Sequence, residues 1–118
     1  MLFSALSYGI SIESSFEAAH AKAVQTNREL VVFLTRKKSK TANKILIKLL
    51  HNRAFGRYIE KEALFVIVVE GKSQSYPIEM LYTLEYPTLF FLDKNELFSR
   101  EALQGESAIE AYLERIGR

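Results

Sequence analysis

The densest grouping of reactive side chains is Arg36-Lys37-Lys38-Ser39-Lys40, continued by Lys44, Lys48 and Arg53. Residues 36–53 carry seven Lys or Arg and no acid. Two chemistries could be built there. A serine beside a lysine acts as a nucleophile when that lysine is desolvated, neutral and able to serve as base. Several cations crowded at one tip point instead to solvated lysines, so Ser39 with Lys38 or Lys40 reads as no catalyst. The second chemistry is anion binding. Free N–H groups at a helix start, together with clustered cations, attract a carboxylate, a phosphate or an acidic protein patch. A solvated basic tip without a ligand is the plain alternative, and both readings stay open. Nucleic acid fits less well: the cations could meet several phosphates, but no aromatic residue interleaves with them to stack on bases.

Other reactive groups are sparse. The chain has no cysteine, hence no thiolate nucleophile, no disulfide and no thiolate–metal centre. His20 and His51 are the only histidines; neither stands in a ligand-spaced cluster, so no metal site is expected. No Gly-rich phosphate loop or hydrolase motif is present. No catalytic residue and no cofactor are therefore assigned. No run reaches the roughly 18 apolar residues of a membrane span.

These groups must be positioned by one small fold. With 118 residues, 48% hydrophobic and 25% charged, the chain has the make-up of a single globular domain. Residues 1–58 hold ten Lys or Arg against three acids, and residues 59–118 hold six against eleven. Interleaving of the two halves would neutralise most of that asymmetry.

Residues 1–13 form a separate apolar segment, ahead of a domain spanning 14–118. Met1 to Gly9 resembles the end of a secretory apolar region with a small-residue cleavage site, but lacks a basic start. That reading places the protein in an exported, periplasmic setting; without it a cytoplasmic one follows. Gly9-Ile10-Ser11-Ile12 alternates as a strand does, and both readings can hold for different parts.

From Ser14 to Asn27 the period is helical, with Phe16, Ala19, Ala23 and Val24 on one face. Ser14 or Ser15 can cap it, Glu17 completing a capping box, and His20 beside that face reads as a hydrogen-bonded, partly buried residue. Glu29–Thr35 is a β-branched strand. A helix from Ser39 into the low fifties buries Ala42, Ile45, Leu46, Leu49 and Leu50 and presents Lys40, Lys44 and Lys48 outward. Residues 55–59 add a helical turn or small helix. Ala63–Val69, apolar throughout, is a strand covered on both faces. A loop spans 71–76, and Pro77 opens a short helix through Leu84. Thr88–Leu92 and Leu97–Ala102 form a hairpin with Asn95 left-handed in the turn. A capping box at Ser107 to Glu110 opens the last helix, whose inward face is Ile109, Tyr112, Leu113 and Ile116, ended by Gly117. Tyr82, Tyr86, Phe90 and Phe91 read as core or loop residues.

The order is (β)αβαβαββα. Its aromatic-Pro-Thr step, Tyr86-Pro87-Thr88, leads directly into the strand Leu89-Phe90-Phe91-Leu92, and its first helix opens Ser15-Phe16-Glu17-Ala18-Ala19-His20-Ala21-Lys22-Ala23. In these features the chain resembles the thioredoxin-like family, most of all the branch with a Ser-Phe-Glu-x-Ala-x-x-x-Ala helix, from Ser14 to the C-terminus. The resemblance implies an α/β fold: a three-layer α/β/α sandwich with a central mixed sheet and Pro87 as its cis-proline. Counted from Val31-Val32-Phe33, the family's Cys-x-x-Cys positions fall on Lys38 and Thr41. The aromatic residue before them is Lys37, and Val32 replaces the buried acid.

Nucleophile, resolving thiol and proton relay are all missing, which implies a redox-inactive domain. Thioredoxins dock extended polypeptide against the loop before the cis-proline, a contact that needs no cysteine. The resemblance thus implies a protein- or peptide-binding module. Its candidate site joins Arg36, Lys37, Lys38, Ser39 and Lys40 to Tyr86 and Pro87, and its partner is a protein or peptide, acidic if the tip takes part. The alternatives are an anion or nucleic-acid binder working through residues 36–53, or an enzyme with an unrecognised non-thiol site.

Overall fold

The computed structural model describes residues 11–71, 76, 77 and 80–117. The expected N-terminal segment before Ser11 and most of the 71–76 loop lie outside the described residues. Five strands make one mixed sheet: β1 (Ile12–Glu13), β2 (Glu29–Arg36), β3 (Ala63–Glu70), β4 (Thr88–Leu92) and β5 (Phe98–Gln104), in the order β1-β3-β2-β4-β5. β3 runs parallel to β1 and β2, and β4 antiparallel to β2 and β5. The β-branched and aromatic content of the runs selects strands. Their continuous apolarity follows from burial on both faces. β3 lies inside the sheet as expected, although β2 holds its centre.

Side-chain alternation sorts the core into two layers. Val31, Phe33, Phe65, Leu89 and Phe91 face the helices α2 (Lys40–His51), α3 (Arg53–Glu62) and α4 (Glu106–Ile116). Leu30, Val32, Leu34, Val66, Phe90 and Leu92 face α1 (Phe16–Thr26) and Leu81. Phe55 of α3 meets Phe65 edge-on, with ring centres 5.7 Å apart. Each such fully buried Phe or Leu contributes about 1.5–3 kcal/mol of transfer free energy.

Several local expectations are corrected. Ser15 caps α1, accepting from Ala18 N at 3.1 Å; this puts Ala18 rather than Glu17 at the third helical position, so no capping box forms. Val24 is 52% exposed, because at about 100° per residue it falls beyond the stripe centred on Phe16, Ala19 and Ala23.

The turn foreseen at 55–59 is the ten-residue helix α3. Asn52 begins it: Asn52 Oδ1 accepts from Phe55 N at 2.8 Å, while its own N–H bonds Leu49 O and ends α2. At the other end Arg28 Nη2 lies 2.9 Å from the carbonyls of Ile59, Glu60 and Ala63, which α3 leaves open.

The helix foreseen at 77–84 is not present among the described residues; residues 78 and 79 lie outside them. Pro77 O accepts from Met80 N and Leu81 N, a single turn. Beyond it the Thr83 hydroxyl offers the backbone a competing set of hydrogen bonds, described below. Two helices therefore separate β2 from β3, and among the described residues no helix separates β3 from β4.

In the β4–β5 turn Glu96, not Asn95, takes the left-handed conformation (φ 63°). Asp93 Oδ1 accepts from Asn95 N and Leu97 N at 2.8 and 3.0 Å and fixes the turn around itself. β5 starts one residue later than expected and runs two further. It also spends one residue more than β4 at two places, between Leu103 and Arg100 and between Arg100 and Phe98, so it is bulged twice.

The capping box at Ser107 is displaced, since α4 already starts at Glu106 after Gly105 (φ 92°). Gly105 N donates to Pro87 O at 2.9 Å, which sets the helix entry before Ser107 can act.

Candidate functional site

β2 and β3 end in register, Arg36 opposite Glu70. Arg36 Nε donates to Glu70 Oε1 at 3.3 Å, and Tyr86 Oη donates to Glu70 Oε2 at 3.0 Å. The Arg36 guanidinium carbon stands 4.3 Å from the centre of the Tyr86 ring, a cation–π contact. Burial, then the hydrogen bond to Glu70, holds the Tyr86 phenol above its ordinary value. Arg36 is therefore engaged by a carboxylate and a ring, not a free cation of the basic tip.

The rest of the tip faces another way. Lys37, Lys38 and Ser39 line a hollow of about 350 Å³ between α2 and the ends of β2 and β3. Tyr86 and Pro87 do not line it. Arg36 is the residue common to both sides, bordering the hollow and covering Tyr86. Lys38 sits at φ 55° just before the cap. Ser39 caps α2, its Oγ accepting from Ala42 N at 3.0 Å. That hydroxyl is occupied by the helix start, and Lys38 and Lys40 are exposed, so the desolvated base a Ser–Lys pair needs is not built. Thr41 is exposed on the first turn.

The segment before Pro87 is held from inside. Thr83, 4% exposed, accepts from Glu85 N at 3.1 Å, while Glu85 O, Gln104 Oε1 and Thr88 Oγ1, each at 3.0 Å, compete for its single proton. Thr88 Oγ1 also reaches Glu85 O at 2.6 Å. The Tyr86–Pro87 peptide is cis, and Pro87 is buried. On either side of Thr83, Tyr82 is 66% and Leu84 79% exposed. Phe90 and Phe91 are core residues.

The two histidines lie apart, each held by neighbouring groups through at least one ring nitrogen. His20 Nδ1 faces Glu96 Oε2 at 3.2 Å and its Nε2 faces Lys94 O at 2.9 Å, while His51 Nδ1 faces Ile47 O at 2.9 Å. Lys48 pairs with Glu110, tying α2 to α4; the contact raises the Lys48 pKa and lowers that of Glu110. Like Arg36–Glu70, this pair joins the basic half of the sequence to the acidic half, the interleaving that the charge pattern implied.

Sequence reasoning missed Glu70 and the Thr83 hub. A signal for Glu70 existed: it and Arg36 are the first charged residues after two apolar runs that pair in parallel. Nothing comparable marked Thr83, whose partners Glu85 and Thr88 follow it closely while Gln104 comes from β5.

No family model matches the chain, and no curated protein matches it. Solved structures are. A thioredoxin from Thermus thermophilus superposes with a TM-score of 0.68 at 15% identity, over 91% of this chain and 84% of that one. Thioredoxin F from spinach chloroplast, in its long form, gives 0.63 at 13% identity over 97% and 88%. The oxidoreductase DsbH gives 0.57 at 15% identity over 91% and 84%. At these identities the likeness shows the fold, and the fold is thioredoxin-like. Without cysteine, this thioredoxin-like chain cannot carry out thiol–disulfide exchange.

Proposed function

We propose that this redox-inactive domain binds an extended segment of another protein along residues 82–87, beside the Arg36–Glu70–Tyr86 cluster, with the basic tip beyond Arg36. The observation that carries the reading is the Thr83 hub. It pins a loop from within while Tyr82 and Leu84, two large apolar side chains, stand in water on either side of it. A rigid loop that presents apolar anchors loses little entropy when a partner covers them, and aromatic anchors carry much of the binding energy at interfaces. Lys37, Lys38 and Lys40 favour acidic segments and faster encounter at low salt. A free anion as the principal ligand is the weaker reading, because Ser39 fills the helix start and Arg36 is ion-paired.

Peptides selected from a displayed library on the immobilised protein test this. Tyr82→Ala with Leu84→Ala should weaken the selected peptides by about tenfold or more. Lys37→Glu with Lys38→Glu and Lys40→Glu should remove the salt dependence of acidic ones. Unchanged affinity in the first variant overturns the reading.

A further inference from the structure

The two edges of the sheet differ in kind. On one side β5 is bulged twice and presents Arg100 and Glu101 to water. On the other side β1 is two residues long and covers only Phe65 and Val66 of β3. From Ile67 to Glu70, no strand lies on that side of β3 among the described residues. A strand without a neighbour offers unpaired N–H and C=O groups, a template for another strand.

The side chains along this half-edge are built to match. Ile67 and Val69 point toward α2 and, half-buried, line the hollow together with Ala42 and Leu46. Val68, on the opposite face, is fully buried. Lys37 and Lys38 are exposed beside the hollow and form no ion pair among the described residues. The acid at the end of the edge, Glu70, is already matched by Arg36.

We propose that the half-edge Ile67–Glu70 accepts an extended acidic segment of another protein as an added strand. Its backbone bonds to β3, one apolar side chain enters the hollow, and neighbouring Asp or Glu side chains meet Lys37 and Lys38. Main-chain pairing supplies affinity in such additions, and the pockets for alternate side chains supply selectivity. Here the selectivity is for acid, since the cations by the hollow repel basic segments. A second copy fits poorly head-to-tail, because the chain's other edge strand is bulged and carries Arg100, and back-to-back pairing through this half-edge would bring the Lys37 and Lys38 cations of two copies together. This site shares Lys37 and Lys38 with the loop reading but uses none of residues 82–87, so signals at residues 67–70 against signals at 82–87 tell the two apart.

The test is a titration of the 15N-labelled full chain with the fluorescent peptide Glu-Val-Asp-Val-Glu-Val-Asp. Two controls accompany it, the same peptide with Lys in place of each acid and one N-methylated at alternate residues. Saturable amide shifts at residues 36–43 and 67–70 are expected, with binding about tenfold or more weaker for both control peptides. Lys37→Glu with Lys38→Glu should weaken the acidic peptide equally at a melting temperature no lower than that of the parent, because both residues are exposed and acids suit a helix start. Four results overturn the proposal: no saturable binding at about 1 mM peptide; shifts confined to residues 82–87; equal affinity for the N-methylated peptide, which would mean side-chain contact without strand addition; or a dimer of the free protein that the peptide fails to dissociate, which would assign the edge to a second copy.

Discussion

Thr83 does for one loop what a helix would do for a longer segment. Its hydroxyl satisfies the backbone of Glu85 and ties β4 to β5 through Thr88 and Gln104. Thr83→Val keeps the shape and removes the hub, leaving Glu85 N and Gln104 Oε1 without this partner. Urea denaturation should show a loss of about 1–3 kcal/mol, with Thr83→Ser recovering most of it. Gly105 is as exposed to substitution. Its φ of 92° suits glycine, and a Cβ there would overlap Glu85 Oε1. Gly105→Ala should cost about 1–3 kcal/mol by the same measurement.

At the scale of elements, the short capping devices decide where helices begin and end. Arg28 closes α3 by reaching three carbonyls from the start of β2. Arg28→Ala should cost about 2 kcal/mol and raise amide exchange in the last turn of α3 before it does so elsewhere. For the equivalence of Lys38 and Thr41 to the family's cysteines, the double variant Lys38→Cys, Thr41→Cys should close an intramolecular disulfide on mild oxidation, detected by mass spectrometry. Failure to close would remove the equivalence.

The same scale explains what was legible in the sequence. Strands β2, β3 and β4 could be placed to within a residue because buried runs of Val, Leu, Ile and Phe leave few alternatives. The helix expected at Pro77 and the capping box at Ser107 rested on valid local signals that distant groups overrode: Thr83 draws its partners from β4 and β5, and Gly105 is fixed by Pro87 O. Within the candidate site, Arg36 and Tyr86 were legible as neighbours through the resemblance. The carboxylate that joins them was not, because Glu70 becomes their partner only through the β2–β3 register.

For the molecule as a whole, the titration of buried phenols sets an alkaline limit. Burial, and for Tyr58 the adjacent Glu29 carboxylate, pushes the Tyr58 phenol well above its ordinary value near 10.0. Burial likewise raises Tyr112, Tyr76 and Tyr86. Below that ordinary value, folded and unfolded chains both keep these protons, and the stabilisation is intact. Above it the unfolded chain releases protons that the folded chain retains, so stability falls as pH rises. Melting temperatures should decline from about pH 10 upward, and Tyr58→Phe should flatten the slope.

The doubled bulge of β5 has a further consequence when many copies are considered together. Growth of a sheet from molecule to molecule requires a donor edge and an acceptor edge of matching pitch on every subunit. Here the open edge is four residues long among the described residues and the opposite edge is kinked out of pitch, so a strand that paired with β3 would find no repeat of its docking place on the far side. Growth from copy to copy therefore has no matching acceptor, and light scattering from concentrated solutions of the protein should stay proportional to concentration, not climb as it does for a fibre.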